Sequence, residues 1–231
     1  MNITKSNFKF LRDLARNNNR EWFNKNKDRY TEAHENTIGF AEDVLSRMAK
    51  IDQIVQTTGK KSLHRIYRDT RFSKDKTPYK THWSGGFARA TKRRRGGYYF
   101  HLHPGNKSFV GGGFWGPNSA DLLHIRKQIE SDPTLLRKIL RSASFKSTFG
   151  QLQGEQLKTA PKGFPKDHPD LDLLRYKSFI VRAPFSDADV LSDAFSAQLV
   201  KTFKKMRPFF DYMSEILTTD LNGESLLAND E

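Results

Sequence analysis

Between residues 19 and 50, apolar side chains return at helical spacing: Phe23, Tyr30, Ile38, Ala41, Leu45 and Met48. This predicts a long N-terminal helix. Asn18 or Asn19 can cap it, Glu21 suits the positive end of the helix dipole, and Gly39 weakens its middle. One face of such a helix must be buried, which assigns Trp22 and Phe23 to the core. From about Leu63 the period changes to two. Alternating aromatics and glycine turns predict strands near residues 63–72, 81–90, 97–103 and 107–114. The turns fall at Ser73 to Pro78, Lys92 to Gly97 and Pro104-Gly105-Asn106. Helix returns after Pro117, with Asn118 or Ser119 as cap for residues 120–130, and Asp132-Pro133 opens another short helix. Residues 160–169 read as loop and 176–183 as a further strand. Ser186 or Asp187 begins a long C-terminal helix carrying Val190, Ala194, Leu199, Phe203, Met206, Phe210, Met213 and Leu217. Pro208 should kink or break it near Lys204, because it removes a donor and clashes one turn back.

These elements predict an α+β protein: a mostly antiparallel meander packed with a long N-terminal and a long C-terminal helix. Residues 1–217 read as one domain and residues 218–231 as a polar, frayed tail. No internal repeat or composition break calls for a second domain.

Composition changes the picture at three points. With 231 residues, 36% hydrophobic and 18 of them Phe, the chain can build a core, though a lean one. It has no Cys, which excludes disulfides, thiolate catalysis and Cys-ligated zinc. No run of about 18 apolar residues exists, so no membrane partner is expected. The N-terminus has no apolar signal-like region, and the cytoplasm is the expected location. The formal charge is +14. Lys60 to Arg95 alone holds thirteen Lys or Arg against Asp69 and Asp75, a local field that attracts anions.

The centre of that field is RIYRDTRFSKDKTPYKTHW, Arg65 to Trp83. On a strand, Arg65, Tyr67, Asp69 and Arg71 share one face, and Asp69 can hold both flanking guanidinium groups for bidentate recognition of phosphate or carboxylate. A turn at Thr77-Pro78 would fold Lys76 and Lys80 back, and paired strands would bring in His82 and His101. The ligand-binding candidates are therefore Arg65, Arg68, Asp69, Arg71, Asp75, Lys76, Tyr79, Lys80, His82 and His101, forming a concave, partly buried anion site. Asp69, Asp75, His82 and His101 are the candidate acid–base groups.

The same motif, preceded by NNNREWFNKNKDRY and followed by PKGFPKDHPDLDLLRYKSF, closely resembles a family of bacterial and fungal proteins, domain of unknown function twenty-four sixty-one. The resemblance runs from Phe8 to Phe210. It implies that Arg65, Arg68, Asp69, Arg71, Phe72, Asp75, Lys76, Pro78, Tyr79 and Lys80 belong to a family signature. It implies no activity or cofactor. The run KRRRGG at Lys92–Gly97 is not part of that pattern.

Other motifs are weaker. His101 and His103 share a strand face with Tyr99 and read first as hydrogen-bonded groups beside the basic cluster, then as plain packing; a metal site would need further ligands such as His82, His64 or Asp69, and none is assigned. Gly111-Gly112-Gly113 lacks both Walker and dinucleotide spacing and reads as room for a neighbouring aromatic. No G-x-S-x-G elbow occurs. His168 beside Asp167 is an acid–base pair only by adjacency. Three partners fit the charge, in this order: a small anionic ligand, nucleic acid stacked on Tyr98, Tyr99, Phe100 and Trp83, and an acidic protein.

Overall fold

The structure, a computed structural model, describes residues 2–227. The last residues of the expected polar tail, 228–231, lie outside the described residues. In chain order the elements are α1 (Lys5–Arg16), α2 (Arg20–Lys25), α3 (Lys27–Met48), α4 (Gly59–Ser62), β1 (Trp83–Ala88), β2 (Gly97–Leu102), β3 (Ser108–Phe114), α5 (Ser119–Ser131), α6 (Thr134–Arg141), α7 (Ala143–Phe149), α8 (Leu171–Leu174), β4 (Phe179–Phe185), α9 (Asp187–Val190) and α10 (Phe195–Ile216). The four strands form one antiparallel meander in the order β1-β2-β3-β4. The protein is α+β, as the periodicities predict. None of its described helices is long and apolar enough to cross a membrane.

The predicted N-terminal helix exists but is interrupted. Asn19 caps α2 by accepting the Trp22 N–H at 2.9 Å. At Asn26 the backbone leaves helical geometry, and its side-chain amide donates to the Trp22 carbonyl. That local bond competes with the helical ladder and separates α2 from α3. The helix α1 has no counterpart in the sequence expectations. Thr4 caps it, and it buries Asn7, Phe8, Phe10, Leu11 and Leu14. Asn118 caps α5 and Ser186 caps α9, the latter through a capping box with Asp189. The expected C-terminal helix is split into α9 and α10. Pro208 does not break α10, which runs from Phe195 to Ile216 without interruption.

The largest correction concerns residues 63–72, which form no strand. Their only ladder contacts are the isolated bridges Leu63–Gly85 and Tyr67–Tyr79. The physical reason lies in the two aspartates. Asp69 accepts the Arg71 N–H and Asp75 accepts the Thr77 N–H, so each side chain folds its own backbone into a turn.

Contacts divide the chain into two units, to both of which the strands contribute. One comprises the chain up to Phe87 with Tyr99–Val110 and Pro184–Lys201. Its core packs Phe40 against Phe100 and Phe195, with ring centroids 5.8 and 5.4 Å apart. Fully buried Asn7 ties this core together. Its amide donates to the Ala33 carbonyl, Asn36 and Thr37, and its oxygen accepts the Trp83 indole N–H at 2.6 Å. The second unit comprises Ala88–Tyr98, Gly111–Ala183 and the chain from Thr202. There Tyr98 packs on Phe203 and Phe210. The glycine run serves packing: a Cβ at Gly112 would strike the Phe210 ring, and one at Gly113, whose φ is +136°, the Phe179 carbonyl.

Candidate functional site

The Arg65–Lys80 motif is a hairpin held by its own charges. Arg68 donates to Asp75 at 2.5 Å, to the Thr77 carbonyl at 3.1 Å and to the Thr77 hydroxyl. The Arg68 N–H bonds the Pro78 carbonyl and the Lys80 N–H the Ile66 carbonyl. Asp75 accepts from Thr77 and Arg68 together, which holds its carboxyl down to about 2. Arg71 lowers Asp69 in the same way. Both are locked carboxylates, poor proton donors near neutrality.

Tyr79 is buried and stacks on Phe23 at 4.0 Å, while its backbone exchanges two bonds with the Asn18 side chain. Lys76 donates to the Thr70 carbonyl. These residues shape the hairpin. The expected convergence of Arg65, Asp69 and Arg71 on a partly buried face fails. Arg71 and Asp69 do pair at 2.7 Å, but with 77% and 46% of their side chains exposed, and Arg65 is exposed too. Without a strand, the alternation that would have aligned these three side chains is lost.

A different subset gathers. Strand β2 alternates, with Tyr98, Phe100 and Leu102 buried and Tyr99 and His101 half-exposed. His103, just past the strand, stays in step with the half-exposed set. Lys80 and His82 are half-exposed on the chain that enters β1, where Trp83 and Ser84 are buried. His82 lies against His101 with ring centroids 4.0 Å apart and 6.0 Å from His103. His64 reaches the same place from the hairpin: its Nδ1 meets the Ser84 hydroxyl at 3.2 Å and its N–H donates to the Ser84 carbonyl. The Tyr99 hydroxyl lies 3.3 Å from His101 Nδ1, and Phe109 stacks on His101 at 4.8 Å. Lys80 donates to the Arg65 carbonyl at 2.8 Å.

Basic groups dominate the field at His82, while Asp187 acts on His103. Burial, then the fields of His101, His103, Lys80 and His64, push His82 down to about 3. Burial and Lys80 lower His64. Burial and Arg65 lower Lys80. His103 is lowered by burial and Lys107, with Asp187 opposing. The imidazole of His82 is therefore neutral at pH 7 and surrounded by basic groups.

Of the ten predicted ligand residues, Arg65, Lys80, His82 and His101 belong to this cluster. Arg68, Asp69, Arg71, Asp75, Lys76 and Tyr79 build the hairpin instead. His64, Tyr99 and His103 complete the cluster without having been predicted as site residues. The two-residue spacing of Tyr99, His101 and His103 was the signal for two of them. His64 carried none, because an irregular hairpin places it. No group of three or more His, Asp or Glu among the described residues is arranged to hold a metal ion. His168 accepts the Asp170 N–H through Nδ1 and closes a turn. Tyr98, Phe100 and Trp83 are each 2% exposed or less, which removes three of the four rings expected to stack on bases.

Comparison with curated proteins and with solved structures returned no match. The family model described as "Conserved hypothetical protein (DUF2461)" matches residues 6–212, hairpin, imidazole cluster and sheet included. The chain belongs to that family.

Proposed function

We propose that the protein binds a small anionic ligand, phosphorylated or carboxylate-bearing, at the cluster of Arg65, Lys80, His64, His82, His101 and His103. One observation carries the reading. Four imidazoles gather with Lys80, which lies beside Arg65, and every neighbour that acts on His82 is basic. Lys80 is disfavoured as a cation first by burial and then by Arg65, and His82 is kept neutral by burial and then by its basic neighbours, so this position lacks a negative group. An anion would supply the missing countercharge. Lys80 gives a point charge, Arg65 a planar fork, and the imidazoles directional N–H donors.

Neutral imidazoles also accept protons. An anion seated here raises the proton affinity of His82, which is the property a proton acceptor for the ligand needs. The polynucleotide reading keeps only Tyr99 among its expected stacking rings and is the weaker one.

The test is thermal unfolding against a panel of phosphates, nucleotides and dicarboxylates at matched ionic strength, with Lys80→Met and Arg71→Ala as variants. Linkage gives about 2.7 kcal/mol at a hundredfold excess of ligand over its dissociation constant. Particular members should stabilise the wild type and Arg71→Ala but not Lys80→Met. Equal shifts from every salt, unchanged by Lys80→Met, would mean a solvated basic face only.

A further inference from the structure

Hydrogen bonding sorts the side chains of the imidazole cluster into two sets. His64 and Ser84 meet each other, and the Tyr99 hydroxyl meets His101. Arg65, His82 and His103 differ: their side chains make no hydrogen bond or ion pair among the described residues. Lys80 spends a single N–H, on the Arg65 carbonyl at 2.8 Å. The carboxylates whose charge reaches this set are engaged elsewhere. Asp69, which feels Arg65, holds Arg71 through both oxygens. Asp187, which acts on His103, accepts the Gly105 and Asn106 N–H groups.

The unspent donors therefore belong to one fork, one point charge and neutral rings. Arg65 presents a planar guanidinium, Lys80 its remaining ammonium hydrogens, and each neutral imidazole one N–H. A lone carboxylate is planar, and the Arg65 fork alone would engage both of its oxygens. Lys80 and His82 would then still lack an acceptor. A phosphodiester offers two free oxygens and a single charge. A phosphate monoester offers three oxygens in a tetrahedron and carries close to two negative charges, matching the cations Arg65 and Lys80.

We infer that the ligand group seated in this cluster is a phosphate monoester rather than a carboxylate or a phosphodiester. The inference rests on the anion-site reading above and narrows it. Arg65 holds two oxygens through paired N–H groups, Lys80 supplies a point charge to the third, and His82 donates a further hydrogen bond.

The experiment is an NMR titration of the full chain with methyl phosphate, dimethyl phosphate, acetate and malonate at pH 8 and constant ionic strength. Malonate matches the charge of methyl phosphate with planar carboxylates. The proteins compared are wild type, Arg65→Met, Lys80→Met and Arg71→Ala, each checked for folding by circular dichroism. Arg71 lies on the same hairpin but is paired with Asp69, so its removal controls for loss of charge alone. Methyl phosphate should bind the wild type and Arg71→Ala alike, and more tightly than any other probe by about tenfold or more. Arg65→Met and Lys80→Met should each weaken it by about tenfold or more, the scale of a charge-assisted hydrogen bond. Malonate, acetate or dimethyl phosphate binding as tightly as methyl phosphate would overturn the monoester assignment and leave the anion site standing. Methyl phosphate binding that neither substitution weakens, or that Arg71→Ala weakens equally, would overturn the assignment as well. Failure of every probe to bind would overturn the assignment and the anion site together.

Discussion

Acidification should destabilise this protein through His82, by an amount the structure sets. The imidazole is held at about 3 against an ordinary value of 6.5, chiefly by burial and then by His101, His103, Lys80 and His64. Because the folded value is the lower one, the unfolded chain binds the extra proton between those limits. Stability is therefore intact above about pH 6.5 and falls as pH drops through the window. At pH 5 the unfolded imidazole gains about 2 kcal/mol from protonation that the folded one does not. This figure depends little on how far below 4.5 the folded value lies. Solvent reaching the half-exposed ring reduces it to about 1 kcal/mol.

The assay is urea unfolding at pH 7.5 and 5.0 for the wild type and His82→Gln. His34, His64 and His103 are also lowered by burial and give both proteins a slope of the same sign. Asp43 and Asp75, each held near 2, lose their contribution only below this window. The wild type should lose about 1 to 2 kcal/mol more than His82→Gln between the two pH values. Equal losses would show that His82 is not kept neutral by its surroundings.

Three further outcomes follow from the packing. Asn7→Ala strands the Trp83 indole N–H and removes the donor to the Thr37 hydroxyl, which itself still donates to the Ala33 carbonyl, so urea unfolding should show a loss of about 3 kcal/mol. Gly113→Ala forces a Cβ into the Phe179 carbonyl at φ +136° and should cost at least about 2 kcal/mol or abolish soluble expression. Arg68→Ala opens the Asp75–Thr77 end of the hairpin at a cost of about 1 kcal/mol, and hydrogen exchange at the Arg68 and Lys80 amides should quicken while β2 is unaffected.

Much of the fold was legible because its signals are local. The alternation of Tyr98 to Leu102 marks β2, and the caps Asn19, Asn118 and Ser186 mark helix starts. The failures arise where side chains compete with the backbone. Asn26 interrupts a helix that periodicity ran through, and Asp69 and Asp75 turn an alternating segment into a hairpin. That hairpin explains why the candidate site was half legible. A strand would have aligned Arg65, Asp69 and Arg71, whereas the turns spend Arg68, Asp69, Arg71 and Asp75 on one another. What the motif delivers to the cluster is Arg65, Lys80 and His82, joined there by His64, His101 and His103. One ion-pair network was invisible for another reason: Arg89 and Arg207 are far apart in sequence and both donate to Asp211.

The most direct test of the anion site is the titration of His82 by side-chain NMR, with and without each member of the phosphate and carboxylate panel at constant ionic strength. His82→Gln identifies its resonance. In the free protein the imidazole should stay neutral down to pH 5. A ligand bound among Lys80, Arg65 and the imidazoles should raise its proton affinity measurably, about 1.4 kcal/mol for each unit of pKa, and Lys80→Met should abolish the effect. A His82 titration that no anion displaces, or one that every anion displaces equally in wild type and Lys80→Met, would contradict the account.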